Sequence, residues 1–404
     1  MKIALLSFCC VVMTAVVNIN TIFAQWVQTG SINTDIVMSL VASGNNIYAG
    51  TIDGVFRSAD NGTSWTSVNS GLTNTFVTSF AVSGNHIFAG TIGGIFRSAD
   101  NGANWTEINN GLTTTSITSF AVSGNNIYAG TEDGVFRSTD NGANWTEINN
   151  GLTKTYIMCF AVTSNNIFVG TAFGGVYQLT DGGTNWTKTG LTGTDVQSLA
   201  VSGNSIYAGT EDDGIFYSTN KGASWANINF GLPESSIMTL ATSGGNIFAG
   251  TLTSGVFSST DNGANWTEIN NGLTDKSIFS LAVIGGNIFA GTGRGIVWRR
   301  SLSELATSAE NICAELPTDF GGSTNYPNPF YTATTISFNI PSEAFVSLKI
   351  FDATDREVSV LVSRKLPAGK YDQQLNAADL PSGVYFYRLQ AGTFVETKKL
   401  VVLK

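Results

Sequence analysis

A repeat of about 40 residues is the feature that most constrains this chain. A glycine in an Ala/Val-Gly-Thr segment recurs seven times, at Gly50, Gly90, Gly130, Gly170, Gly209, Gly250 and Gly291. Within one repeat, four short apolar or alternating segments are separated by Gly/Asn turns, as at 78–82, 86–91, 94–98 and 104–108. A four-stranded unit with this period is typical of a β-propeller blade, which must stack on its neighbours to bury both faces.

The tryptophans predict how the ring closes. Six of them, each at the start of a predicted fourth strand, are Trp65, Trp105, Trp145, Trp186, Trp225 and Trp266, whereas the seventh repeat has only three strands. Trp26 heads a segment, 26–30, that resembles the missing strand. We expect it to pair with the strand near 295–299. The sequence therefore predicts an all-β, seven-bladed propeller over residues 25–300, closed by its N-terminal strand so that no sheet edge between blades is left open.

The turn between the third and fourth strands carries a Ser-x-Asp-x-Gly-x-x-Trp pattern in six repeats, with Leu179 in place of serine in the fourth, and we call these the box turns. Their residues are Asp60, Gly62 and Trp65; Asp100, Gly102 and Trp105; Asp140, Gly142 and Trp145; Asp181, Gly183 and Trp186; Gly222 and Trp225, with Asn220 in place of aspartate; and Asp261, Gly263 and Trp266. The pattern resembles the Asp-box (BNR) repeat of sialidase-type propellers. We interpret these residues as structural, because catalysis needs one asymmetric constellation and six equivalent copies cannot all be active sites.

Residues that differ between repeats are the better candidates for binding. In a propeller, the loops between second and third strands share a face with the connections from fourth to first strands, and we call this the variable face. Its candidate binding residues are Asp53, Phe76, Glu132, Asp133, Tyr156, Phe173, Glu211, Asp212 and Asp213. Carboxylates mixed with aromatic rings suit a glycan, peptide or cation, and are equally typical of unconstrained surface turns. Calcium bound through Glu211, Asp212 and Asp213 is a further possibility.

The sialidase resemblance raises the question of catalysis. It would imply three converging arginines, but Arg57, Arg97 and Arg137 occupy one equivalent position in three consecutive repeats. The only histidine, His86, lies in a turn that carries asparagine in other repeats. The sequence predicts no catalytic residues, metal site or cofactor. It favours a non-catalytic recognition or scaffold module, with a secreted glycan- or polysaccharide-active hydrolase as the alternative.

The N-terminus and the charge indicate where the protein works. Lys2 precedes an apolar run at 3–17, which predicts a cleaved secretory signal peptide at 1–24. No later stretch is longer, so no transmembrane segment is expected in the mature chain. The net charge of −9 favours neither nucleic acid nor an anionic membrane as a partner.

After an acidic linker at 301–323, alternating strands over 324–404 predict a small immunoglobulin-like β-sandwich. The motifs at 326–330 (Tyr-Pro-Asn-Pro-Phe), 349–352, 382–387 and 398–399 resemble the type A C-terminal sorting domain of the type IX secretion system. Asp355 departs from the glycine usual in that family. The resemblance implies a bacterium of the Bacteroidota, Sec export to the periplasm, the type IX machinery as partner of 324–404, and a final location outside the cell or on the outer-membrane surface.

Overall fold

The computed structural model describes residues 25–153, 155–164, 166–180, 183–305, 323–366, 369–377 and 380–403. The predicted signal peptide at 1–24 and the box-turn residue Asp181 lie outside these ranges. The chain forms two compact units that divide after Leu305.

The first unit contains seven four-stranded antiparallel sheets. Blades one to three consist of β2 (Val37–Ser43), β3 (Asn46–Thr51), β4 (Gly54–Ser58) and β5 (Thr66–Ser67); β6 (Val77–Ser83), β7 (His86–Thr91), β8 (Gly94–Ser98) and β9 (Thr106–Glu107); and β10 (Ile117–Ser123), β11 (Asn126–Thr131), β12 (Gly134–Ser138) and β13 (Thr146–Glu147).

Blades four to six consist of β14 (Ile157–Val162), β15 (Asn166–Thr171), β16 (Gly175–Thr180) and β17 (Trp186–Lys188); β18 (Val196–Ser202), β19 (Ser205–Thr210), β20 (Ile215–Ser218) and β21 (Ala226–Asn227); and β22 (Ile237–Ser243), β23 (Asn246–Thr251), β24 (Val256–Ser259) and β25 (Thr267–Glu268). Blade seven combines β26 (Ile278–Ile284), β27 (Asn287–Thr292) and β28 (Val297–Ser301) with β1 (Val27–Gln28). One helical turn follows at 302–305.

The first strand of each blade lies on the inside of a ring. Each contacts the first strand of the next blade, and β26 contacts β2, so the ring is closed. The second strands are buried along almost their whole length because both of their faces pack against adjacent blades. The predicted seven-bladed propeller is confirmed.

The N-terminal strand completes the last blade. Val27 pairs with Arg299 and Gln28 pairs with Trp298 in antiparallel register. Trp26 is only 2% exposed, and its indole Nε1–H donates to the carbonyl of Ile269 in blade six at 2.7 Å. The predicted closure is therefore confirmed, and an aromatic anchor holds the closing strand in place.

The fourth strands are shorter than the sequence predicted. The pattern predicted a strand at 104–108, but the strand is limited to Thr106–Glu107, followed by one backbone bond from the N–H of Ile108 to the carbonyl of Ile95 in the same sheet at 2.9 Å. The backbone N–H of Trp105 instead donates to the carbonyl of Ser70 in the preceding blade at 2.8 Å. The tryptophan thus belongs to the contact between blades, and the strand begins only after it.

The second unit is a β-sandwich, as predicted. One sheet contains β29 (Thr324–Tyr326), β30 (Ala333–Ile340) and β33 (Gly369–Asn376), and the other contains β31 (Ala344–Asp352), β32 (Glu357–Leu366), β34 (Gly383–Ala391) and β35 (Phe394–Val402). Apolar side chains alternate into its core, among them Ile336, Leu348 and Leu389. Among the described residues, no helix is long and apolar enough to span a membrane.

Removing the anchor of the closing strand should destabilise the ring. In a chain that begins at Gln25, Trp26→Ala removes a buried ring and its hydrogen bond, so we expect the free energy of unfolding to fall by about 3–5 kcal/mol. Denaturant unfolding of the purified protein measures the change. Val27→Ala is the matched control, since Val27 is exposed and should change stability by less than about 0.5 kcal/mol. Equal stability of the two variants would contradict closure by this strand.

Candidate functional site

Each box turn is held together by hydrogen bonds that its own side chains make. In the first, the Ser58 hydroxyl donates to Asp60 Oδ1 at 2.8 Å and accepts from the backbone N–H of Gly62 at 2.8 Å. Asp60 Oδ1 also accepts from the backbone N–H of Ser64 at 2.9 Å. Asn61 (φ 59°) and Gly62 (φ 88°) have the left-handed backbone that the turn requires. The pattern recurs at Asp100, Asp140 and Asp261.

These hydrogen bonds favour the ionised carboxylates. The hydroxyl and backbone N–H of Ser64 lower the pKa of Asp60 to about 2. The side-chain amide and backbone N–H of Asn104 do the same for Asp100, whose pKa is also about 2. Asp140 has a lowered pKa for the same reason. In blade five, Asn220 accepts from Ser218 and from the backbone of Ser224, so a neutral amide can hold the same turn.

Two kinds of side chain connect box turns to neighbouring blades. The indole N–H of Trp105 donates to the carbonyl of Val68 at 2.8 Å, and Trp145, Trp186 and Trp266 make equivalent bonds. Arg57 donates to the carbonyl of Asn101 at 3.0 Å, and Arg97 and Arg299 bridge their seams in the same way. The repeated arginines therefore brace seams between blades and do not converge on one point.

On the variable face, the predicted acidic residues bond mainly within their own blades. Glu132 accepts from Ser116 at 3.0 Å, Glu211 from Gln197 at 3.1 Å, and Asp213 from Thr194 at 2.8 Å. Asp212 is exposed, and Asp53 and Asp133 accept hydrogen bonds through their backbone carbonyls. Among the described residues, no three His, Cys, Asp or Glu side chains are grouped to hold a metal ion.

The aromatic residues of this face are more unusual. Phe173 is 71% exposed and has a φ of 57°, a conformation that is costly for a bulky side chain. The backbone N–H of Phe173 donates to the carboxylate of Asp195, from the connection to the next blade. Tyr156 lies beside this loop, since its carbonyl accepts from Ala172 at 3.0 Å, and it is 42% exposed. Phe76 is half-buried. Partial burial and the nearby Glu132 charge raise the pKa of Tyr156.

Sequence reasoning did not identify the asparagines that position the variable loops. Asn69 Oδ1 accepts from the backbone N–H of Val55 at 2.7 Å, while its Nδ2 donates to the carbonyl of Asp53 at 3.0 Å. Equivalent Oδ1 contacts are made by Asn109, Asn149, Asn229 and Asn270. Their recurrence at one position of the repeat was the signal that could have identified them.

Two family models match the sequence. The model of the DUF6242 beta propeller domain matches three overlapping stretches, 31–166, 94–192 and 157–299, which together span two thirds of the chain. The model of the secretion system C-terminal sorting domain matches 324–403. The latter indicates export to the cell surface or beyond and interaction with the type IX machinery. A comparison with curated proteins found no significant match.

Solved structures show the same fold at low sequence identity. PorZ, a surface component of the type IX secretion system of Porphyromonas gingivalis, is 17% identical with a TM-score of 0.54, over 94% of this chain and 61% of PorZ. The GH74 xyloglucanase from Xanthomonas campestris is 15% identical with a TM-score of 0.58, over 78% of this chain and 59% of the enzyme. YCF48 from Cyanidioschyzon merolae is 16% identical with a TM-score of 0.55, over 69% of this chain and 99% of YCF48. The match thus spans about three fifths of PorZ and of the xyloglucanase.

The box turns should make stability depend on pH below pH 4. A lowered carboxyl pKa stabilises the folded state above the unfolded-state pKa near 4, and this stabilisation is lost as the pH falls towards about 2. We expect the double variant Asp60→Asn, Asp100→Asn to lose less stability than the parent between pH 4 and pH 2, because asparagine keeps the turn without titrating. Thermal unfolding across this range measures the slope. The control is Asp212→Asn, on the variable face, and an equal slope in parent and double variant would contradict the prediction.

Proposed function

This chain belongs to the family of DUF6242 beta-propeller domains and ends in a secretion-system sorting domain, and on that premise we propose that it is a non-catalytic recognition or scaffold module. It is a secreted or surface protein. In the proposed role, the identical parts of the blades provide rigidity, and the variable face binds a glycan or a protein. The signal peptide at 1–24 would deliver the chain to the periplasm before the sorting domain directs its passage across the outer membrane.

The observation that supports the proposal most directly is the exposure of the Phe173 side chain on the variable face. Exposure of a large apolar ring to water is unfavourable, and so is a left-handed backbone at a bulky residue. Phe173 has both, and a role in binding explains why. The bond from its N–H to Asp195 and the adjacent contact to Tyr156 hold the loop in position. Phe173 and Tyr156 are both exposed, and their loops are joined by the backbone bond from Ala172 to Tyr156. In this proposal their rings offer apolar surface on which a sugar ring or an aromatic side chain stacks.

The carboxylates of the variable face support a binding role rather than acid–base chemistry. Glu234 accepts from the backbone N–H groups of Thr253 and Ser254 at 3.0 and 2.8 Å. Partial burial acts to raise the pKa of Glu234, but the hydroxyls of Thr251 and Thr253 and these two backbone bonds outweigh it, so the pKa is lowered. A glycosidase acid needs the opposite, a raised pKa that keeps the proton available for the leaving group. Glu132, Glu211 and Asp213 likewise accept hydrogen bonds from neighbouring polar side chains. In this proposal the acidic residues fix loops and offer specificity to a ligand.

Replacing Phe173 should weaken ligand binding without lowering the stability of the protein. We expect Phe173→Gly to leave the melting temperature unchanged or higher, because glycine adopts this φ freely, while binding to the best ligand found on a glycan and peptide array weakens at least tenfold. Phe345→Ala, which removes an exposed ring from the sorting domain, is the matched control and should leave binding unchanged. Unaltered binding by Phe173→Gly would contradict a role of the variable face.

The hydrolase alternative is tested on the same protein. Turnover of a chromogenic glycoside that is abolished by Glu211→Gln or Asp212→Asn would overturn the non-catalytic proposal. Turnover that persists in both variants would point to a contaminating enzyme.

A further inference from the structure

The seam between blades four and five lacks both of the braces that connect other blades. Trp225 donates its indole N–H to Gly222 of its own box turn at 3.0 Å, instead of to the preceding blade. Gln178 replaces the bridging arginine, as Tyr217 and Ser258 do in the next two blades, and it donates to Thr180 of its own strand at 3.4 Å. Among the described residues, only the seam between blades four and five lacks the tryptophan bond as well. The connection from Trp186 to Val196 is also two residues shorter than the corresponding connections after Trp105 and Trp145. This seam is therefore built differently on the box-turn side of the ring.

At the altered seam, a backbone bond from the N–H of Gly190 to the carbonyl of Gly222 at 2.8 Å joins the two blades, and a groove lies beside it. The groove, of about 510 Å³, lies between Gln178 and Lys188 on one side and Asn220 and Lys221 on the other. An adjoining cleft of about 650 Å³ shares Asn220 and Lys221 and extends to the first hairpin turns of blades four and five. Hydroxyl and amide side chains line this cleft together with apolar surface from Val162 and Val201.

The hairpin turn of blade four is also unlike its counterparts. Other first hairpins turn through a glycine with positive φ, such as Gly44 or Gly84, whereas this one contains Ser164. Thr163 closes it with a backbone bond to Asn166 at 2.9 Å. Asn166 is 6% exposed and lines the cleft, while the equivalent residues of the other blades are half-buried. The buried amide of Asn166 therefore forms part of the wall of the cleft.

Three substitutions make the seam locally cationic in a chain of net charge −9. Lys188 stands where three other blades have a glutamate, Asn220 replaces the box aspartate, and Lys221 replaces the following asparagine. Neither lysine forms an ion pair with a described residue. Lys221 also has a φ of 57°, where asparagine costs less. The Lys188 ammonium lies over the ring of Tyr177, 5.9 Å from its centroid, a contact that leaves its charge without a counter-ion. Two cations beside one opening are suited to a negative ligand group.

We propose that the seam between blades four and five binds an acidic oligosaccharide whose sugar rings carry carboxylates. Lys188 and Lys221 would pair with carboxylates, the hydroxyl and amide groups of Ser164, Asn166 and Asn204 would bond to sugar hydroxyls, and the apolar wall would contact the C–H faces of the rings. This site is independent of the variable face, since the two lie on opposite sides of the ring.

The test compares oligogalacturonate with its fully methyl-esterified, neutral form, using titration calorimetry on the intact protein. We expect the acid to bind and the ester to bind at least tenfold more weakly, because charge-assisted hydrogen bonds are lost. Lys221→Asn restores the residue of the other box turns, so it should keep or raise the melting temperature while weakening binding about tenfold. Lys188→Glu should abolish binding. Lys276→Asn removes a lysine from the opposite face and serves as the matched control.

Three outcomes would overturn the proposal. They are equal affinity for acid and ester, binding of the acid that is unchanged in both Lys221→Asn and Lys188→Glu, and binding of poly-glutamate but not of oligogalacturonate, which would assign the seam to an acidic peptide. Phe173→Gly should leave oligogalacturonate binding unchanged. Its effect on ligands of the variable face is a separate measurement, so failure at one site is distinguishable from failure at the other.

Discussion

The burial of both faces of each four-stranded sheet is the constraint on which the structure depends. A single blade exposes two apolar surfaces, and a stack of blades still exposes one at each end unless it closes on itself. At four of the six box turns the tryptophan joins blades directly, because its ring is buried and its N–H donates to the preceding blade. Trp26 performs this task for blade seven by bonding to Ile269. Ring closure, blade spacing and the rigidity of the loops all follow from this repeated contact.

The fold could be predicted because its determinants are periodic. The spacing of the glycines gave the number of blades, and Trp26 gave the closing strand. The length of the fourth strands was wrong because the hydrogen bonds of the tryptophan backbone go to another blade, and a pattern within one repeat carries no information about that partner. The left-handed backbone of Phe173 was hidden for a similar reason, since it is held by Asp195 from the next connection.

The seam between blades four and five was missed for a different reason. Aligning the repeats by serine, aspartate, glycine and tryptophan emphasises what they share, and Gln178, Lys188 and Lys221 occupy none of those positions. Each substitution alone is an ordinary change in a surface strand or turn. Only their placement on two sides of one opening makes them a candidate site. The box turns show the converse, since their repeated carboxylates stand out in the sequence but are bonded within their own turns.

The pairing of Val27 with Arg299 joins the two ends of the propeller. These two partners stand 272 positions apart in the sequence. Blade seven can therefore be completed only when all of the preceding blades have been synthesised, and a truncated propeller would lack both the closing pair and the buried Trp26. The integrity of the ring is a property of the full set of repeats and not of any single blade.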